Sequence, residues 1–242
     1  MNFTNKVVLI TGASQGLGKS LAGKLAVEGA TVILLARTAT SLQKIITTIN
    51  SKNGKAEAFV CDITDTKVVQ HIVKTILKKY TRVDILINNA GIWTDDEIEK
   101  NLPERRNYAL DTNIAGQINI TEELLPHLKI QKQAIIFNVI STAGIPEIPA
   151  GDNRYWKTYG ASKWGFTGYT HALRESLRET KIKVIQYFPG GFDSNLYTNA
   201  HKSYAHEPWM MKTDDVADIV LFALSRPDDV YMEKIVVSKQ ME

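Results

Sequence analysis

The sequence predicts a single doubly wound α/β domain, a parallel sheet of about seven strands with helices on both faces. Three observations lead there. Short β-branched runs alternate with stretches of helical periodicity along the whole chain. Most of the runs are apolar throughout instead of alternating with polar residues, as expected of strands covered on both faces. The 242 residues, 44% hydrophobic and 23% charged, suit one large packed domain.

Taken in order, the chain opens with a strand over 6–10 and a helix over 16–28, which Gly29 ends. A strand over 31–35 leads to a helix over 41–50, closed by Gly54. The third strand (56–60) and the helix over 66–80 precede a fourth strand at 83–87. One long helix is expected over 104–128, then a strand over 134–140 and a helix over 159–179. The sixth strand (183–188) precedes a helix over 214–225, for which Thr213-Asp214-Asp215 offers a capped start, and 234–237 is the last strand. No internal repeat, low-complexity tract or linker divides the chain, so residues 1–242 read as one domain.

Composition excludes several classes. No apolar run approaches the ~18 residues of a membrane span. The first residues lack the charged start, apolar centre and cleavage site of a signal peptide. A single cysteine, Cys61, fits a reducing cytosol and a cytoplasmic protein. The net charge of +3 is small and its lysines and arginines are dispersed, which speaks against nucleic acid as a partner. The five histidines show no metal-ligand spacing, so no metal is expected.

The first strand runs into Thr11-Gly12-Ala13-Ser14-Gln15-Gly16-Leu17-Gly18, and a helix follows. Glycines allow a tight turn and a close approach to a pyrophosphate, and the helix N-terminus supplies N–H groups and a favourable dipole. A second reading overlaps it: Ala13 to Ser20 resembles a phosphate-binding P-loop, with Ala13 in place of the first glycine. That would make the chain a nucleoside triphosphatase. The two readings diverge farther along the sequence.

The second strand ends in Ala36-Arg37. Proteins that bind NAD usually carry an acid here for the ribose hydroxyls, whereas a 2′-phosphate calls for positive charge. Arg37 can pair with a phosphate and stack on adenine, and Ser14 can add a hydrogen bond; this favours NADP(H), with NAD(H) as the alternative. Asp62, followed by Ile63, can accept a hydrogen bond from the adenine amino group or cap a turn.

Asn88-Asn89-Ala90-Gly91 follows the fourth strand, Ser141 ends the fifth, and Tyr159-Gly160-Ala161-Ser162-Lys163 opens a long helix. Tyr159 and Lys163, four apart on a helix, share a face and can both reach one cofactor. Pro189-Gly190 follows the sixth strand, with Phe192 and Ser194 beyond. This ordered set resembles the short-chain dehydrogenase/reductase family over essentially the whole chain, and the P-loop reading explains none of the later motifs. The resemblance implies a Rossmann-like fold and hydride transfer between a dinucleotide and a carbonyl or alcohol. It makes Tyr159 the acid/base, Ser141 the carbonyl anchor, Lys163 the tuning cation, and Asn113 the residue holding a helical kink and a water that connects Lys163 to solvent. Gly12, Ser14, Gln15, Gly16, Leu17, Gly18, Arg37, Asp62, Ile63, Asn89, Ala90, Gly91, Pro189, Gly190, Phe192 and Ser194 would join Tyr159 and Lys163 around the cofactor.

The interval from Ser141 to Tyr159 is longer than the family commonly shows, and the extra segment reshapes the substrate mouth. Trp93, Tyr155, Trp156, Phe192 and Trp209 are candidates for an apolar substrate pocket, with a core or lid role the alternative. The stretch around 191–212 reads as a substrate lid. Small ketones, polyols, acyl thioesters (on a phosphopantetheine-bearing partner) and larger ring carbonyls all remain open. The rival from another class is a dinucleotide-sensing binding protein without turnover, which need not keep Asn113, Ser141, Tyr159 and Lys163 together. A transient-oxidation isomerase or epimerase would usually carry a longer C-terminal substrate region. The resemblance also suggests a homodimer or homotetramer packed through the long helices over 104–128 and 159–179.

Overall fold

The computed structural model describes residues 1–94, 103–146, 157–194, 196 and 207–240. Among these, seven strands form one sheet: β1 (Val7–Thr11), β2 (Thr31–Ala36), β3 (Lys55–Val60), β4 (Ile85–Asn88), β5 (Ala134–Val139), β6 (Ile182–Pro189) and β7 (Lys234–Val237). Their order is β3-β2-β1-β4-β5-β6-β7 and every pairing is parallel. The helices are α1 (Gly16–Val27), α2 (Ala39–Asn50), α3 (Thr66–Tyr80), α4 (Pro103–Leu110), α5 (Gly116–Lys129), α6 (Lys157–Ser176) and α7 (Thr213–Leu224). The chain winds outward from β1 to β3, then returns to set β4 on the other side of β1. That reversal opens a crevice beyond the carboxyl ends of the strands.

The uninterrupted apolar runs are explained by two cores. Val8, Ile10, Val32 and Leu34 face α1, α2 and α7, while Leu9, Ile33, Leu35 and Ile136 face α3, α5 and the far end of α6. Successive strand residues point to opposite faces, and both faces of the central strands are dry, while the edge strands β3 and β7 are partly exposed. Among the described residues, no helix is long and apolar enough to cross a membrane.

Local chemistry corrects the expected element ends. Asp65 caps α3, its Oδ1 accepting from the N–H groups of Lys67 at 2.9 Å and Val68 at 3.1 Å. The turn after α2 is made by Asn53, at φ 59°, not by Gly54. Gly54 is needed for space instead, since a Cβ there would lie 2.6 Å from Ile49 Cγ2. The start of α7 is held from a distance: Asp193 Oδ1 accepts from Thr213 N at 2.5 Å and from its Oγ1 at 2.7 Å.

The long helix expected over 104–128 is divided. Between α4 and α5 the backbone forms a π-helical turn over Asp111–Ala115. The turn displaces the apolar pattern by one residue between α4 and α5, too little to break the helical reading of 104–128; such turns often mark functional positions.

A buried polar ladder runs through the layer that carries α6. Asn88 Nδ2 donates to Thr121 Oγ1 and to Asn138 Oδ1, each at 2.8 Å. Asn138 Nδ2 donates to Thr170 Oγ1 at 2.9 Å. All four side chains are buried, so their bonds fix β4, β5, α5 and α6 relative to one another. Asn138→Ala strands an Asn88 N–H and removes the tie to α6. The expected cost is about 2–3 kcal/mol, read as a lower urea midpoint at unchanged m-value; an unchanged midpoint would show that the ladder contributes nothing.

Candidate active site

The carboxyl ends of the central strands border a cavity of about 1030 Å³. Its floor is the glycine loop. Gly12, at φ 63°, and Gly16, at φ 50°, take left-handed conformations. A Cβ on Gly12 would lie 2.6 Å from Ala90 Cα, and one on Gly18 would lie 2.5 Å from Gly12 O. The loop after β4 is laced to this floor: Asn89 Nδ2 donates to Thr11 O at 2.9 Å and to Gly12 O at 3.2 Å. Thr11 Oγ1 in turn accepts from Asn89 N and Ala90 N, both at 3.0 Å. Thus Asn89 shapes the loop, and Gly18 supports it from beneath without bordering the cavity.

These contacts also decide against the P-loop reading. Lys19 is exposed and does not border the cavity. The Ser20 hydroxyl, which a P-loop would turn toward a metal ion, donates to Asp214 Oδ1 at 2.6 Å.

At one end of the cavity stand Ser14, Gln15, Arg37, Thr38, Ser41, Asp62 and Ile63. Asp62 Oδ1 accepts from Thr64 N at 3.0 Å and from Thr64 Oγ1 at 2.8 Å, so it holds a turn while also facing the cavity. Arg105 and Tyr108 of α4 join this end, a contribution that sequence reasoning missed. The Arg37 guanidinium lies 5.3 Å from the centroid of the Tyr108 ring. Nothing in the sequence links the end of β2 to α4, which begins 66 residues after Arg37, at Pro103.

At the other end Ser141, Tyr159 and Lys163 border the same cavity. Ser141 Oγ accepts from Ala143 N at 3.1 Å at the start of a 3-10 turn over Thr142–Gly144. The hydroxyl is oriented by that bond and keeps its own proton for donation. Lys163 Nζ lies 5.6 Å from the centroid of the Tyr159 ring, and both residues are buried, at 6% exposure. No ion pair among the described residues engages Lys163. Burial without a counter-ion pulls its ammonium down from 10.5 to about 8.

Asn113 stands behind these groups, in the π-helical turn, and does not border the cavity. Its Oδ1 accepts from Ile92 N at 2.8 Å, while its Nδ2 donates to Ile92 O at 2.9 Å and to Ser162 Oγ at 3.0 Å. Ser162 passes the contact on, donating to Tyr159 O at 2.7 Å. Gly91 completes the packing, for a Cβ there would lie 3.3 Å from Asn113 Oδ1 and 3.6 Å from Lys163 Nζ.

Of the remaining expected residues, Gly12, Gly16, Leu17, Asn89, Ala90, Gly91, Pro189, Gly190, Phe192 and Ser194 border the cavity. So do Trp93 and Trp209, joined by Leu196, Ser238 and Lys239, which sequence reasoning did not single out. Gly191 lies under the Trp209 ring, where a Cβ would fall 2.1 Å from Trp209 Cζ3. Tyr155 and Trp156 lie outside the described residues, as do parts of the expected lid.

Comparison with known proteins agrees with this geometry. The sequence model of the short chain dehydrogenases matches residues 6–205. An uncharacterized oxidoreductase of Listeria monocytogenes is 32% identical, over 98% of this chain and 97% of its own. The 3-oxoacyl-[acyl-carrier-protein] reductase of Thermotoga maritima is 31% identical, over 93% and 92%. Among solved structures, the 3-ketoacyl-(acyl-carrier-protein) reductase of Brucella melitensis, complexed with NADH, is 28% identical with a TM-score of 0.82 over 96% of both chains. A metagenomic short-chain oxidoreductase in complex with NADP is 26% identical, TM-score 0.81, over 99% of both. The chain belongs to the short-chain dehydrogenase/reductase family, and so to the NAD(P)-dependent oxidoreductases that act on alcohol and carbonyl groups.

Proposed function

We propose that the protein is a carbonyl reductase that prefers NADPH and converts a ketone or aldehyde reversibly to the alcohol. The observation that carries this reading is one cavity bordered at one end by Ser141, Tyr159 and Lys163, and at the other by Arg37 with no acid at the end of β2. The cavity walls fit a dinucleotide. Gly12 and Gly16 take left-handed turns where the loop borders the cavity and carry no side chain, so a pyrophosphate can approach the start of α1 closely. Lys163 offers a buried ammonium without a counter-ion, suited to the hydroxyls of a ribose.

When bound, the reduced nicotinamide supplies the hydride. Ser141 holds the substrate oxygen by donating a hydrogen bond and steadies the charge that develops there. Tyr159 gives its phenolic proton to that oxygen, so the carbonyl gains a hydride on carbon and a proton on oxygen. The Lys163 ammonium favours the phenolate left on Tyr159. Solvent then returns the proton. Residues 191–212 act as the substrate lid in this reading; Gly191, Phe192, Ser194, Leu196 and Trp209 all border the cavity.

Tyr159→Phe is expected to lower turnover by ~10²–10⁴-fold while dinucleotide binding stays nearly intact. The check is steady-state kinetics on a panel of ketones and aldehydes with NADPH, alongside calorimetric titration of the cofactor. Equal activity in the variant would remove Tyr159 as the acid. Absence of turnover by the wild type across the panel would favour a dinucleotide-sensing protein.

Cofactor choice rests on Arg37. Its guanidinium is exposed, so its charge-assisted bond to a 2′-phosphate is worth about 1.5 kcal/mol, roughly 10-fold in affinity. Wild type is expected to bind NADPH more tightly than NADH by about that factor. Arg37→Ala should weaken NADPH alone. Equal wild-type dissociation constants for the two cofactors would sink the preference.

Lys163 provides a pH test. In the folded, cofactor-free protein its proton leaves near pH 8, whereas an unfolded lysine keeps it to about 10.4. Between those values the unfolded chain binds more protons, so the contribution of this residue to stability rises with pH. Urea unfolding of wild type and Lys163→Met should therefore give a difference that moves in favour of wild type from pH 8 to 10. A flat difference would mean that this amine titrates like an exposed one.

A further inference from the structure

We infer that Tyr108, on α4, is a positioning residue for cofactor choice: its ring holds the Arg37 guanidinium in place for the 2′-phosphate. The inference rests on the NADPH reading above and adds the element that makes Arg37 selective. The two residues come from different layers of the fold. Arg37 follows β2 at the outer half of the sheet, and Tyr108 lies on α4, reached only after β4. Yet the guanidinium carbon lies 5.3 Å from the Tyr108 ring centroid, within the range of a cation–π contact. Both side chains border the cavity, beside Ser14 and Gln15.

The physical consequence concerns entropy. Arg37 is exposed, and among the described residues no carboxylate forms an ion pair with it. An exposed arginine has many rotamers, and fixing them on binding weakens the contact it makes. A ring that holds the guanidinium through its face leaves the five N–H donors, which lie in the guanidinium plane, for a phosphate. Gln15 brings no charge to the glycine loop, and Arg37 shares this end of the cavity with Arg105, so the preorganisation of Arg37 sets its own share of the discrimination. NADH, which has a hydroxyl at the same position, draws little on that arginine. Loss of the ring therefore falls on NADPH selectively.

The experiment is calorimetric or fluorescence titration of NADPH and NADH into wild type, Tyr108→Leu, Tyr108→Phe, Arg37→Ala and the Arg37→Ala/Tyr108→Leu double variant. Tyr108→Leu is expected to bind NADPH roughly two- to five-fold more weakly, with NADH unchanged. Tyr108→Phe keeps the ring and should bind both cofactors as wild type does. In the double variant NADPH should bind as weakly as in Arg37→Ala alone, because the ring acts through the arginine. Unchanged NADH affinity shows that each variant is folded. If Tyr108→Leu weakens both cofactors equally, or weakens NADPH further when Arg37 is already absent, the ring is a wall of the adenosine site and the inference is overturned. Wild type without any NADPH preference would overturn the reading itself. A wild-type preference that Arg37→Ala abolishes and Tyr108→Leu leaves intact would overturn only the role of Tyr108.

Discussion

The geometry of the site depends on one side-chain amide. Asn113 binds both the N–H and the C=O of Ile92, and with its remaining N–H it reaches Ser162 on α6. Three separate pieces of chain, the segment after β4, the π-helical turn and the start of α6, are thereby held at a common point. Tyr159 and Lys163 belong to the third piece and Gly91 to the first. The amide is 1% exposed, so a lost bond would leave polar groups unpaired in a dry interior, where the penalty exceeds the value of the bond itself. The π-helical turn is the backbone solution that lets α4 and α5 remain helical around this point.

A second constraint is electrostatic. Lys163 is buried without a counter-ion, an arrangement that costs stability and persists because the surrounding fold over-determines it. The polar ladder through Asn88, Asn138 and Thr170 supplies part of that rigidity, anchoring the middle of α6 to the sheet. Scaffold and site are then continuous: the same helix that is pinned by amides in the core presents the tyrosine and the lysine at its open end.

How much of this was legible in the sequence follows from the range of each interaction. The parallel sheet was readable because uniform apolar runs such as Val7–Thr11 and Thr31–Ala36 have few other uses. The glycine loop, Tyr159 with Lys163, and Arg37 were readable because their chemistry is local: a turn, a helix face, a strand end. The π-helical turn was not, since one inserted residue shifts the phase of the apolar pattern without interrupting it. Tyr108 and Arg105 escaped notice because their place beside Arg37 is created by the crossover from β3 to β4, not by any spacing in the chain. Asp193 escaped for the same reason, since it caps a helix that begins 20 residues later. Asp65, next to the helix it caps, carries a local signal in the sequence.

The pairing of Asp193 with Thr213, together with the bridge between Phe192 and Met211, closes the chain on itself at the mouth of the cavity. Whatever sequence lies between these anchors has its two ends already fixed. The entropy of holding two ends of a chain together grows only with the logarithm of the length between them, about 0.6 kcal/mol for each doubling. Residues can therefore be added, removed or exchanged between the anchors with little effect on β6 or α7. In evolutionary terms the fold separates two inheritances: Tyr159 and Lys163, the proton-transfer groups of the proposed reading, sit on an element that tolerates little change, and the cavity mouth is bounded by a clasp that tolerates much. If that segment is the substrate lid of the proposed reading, new substrates can be acquired by rewriting it while the hydride-transfer chemistry passes on unaltered.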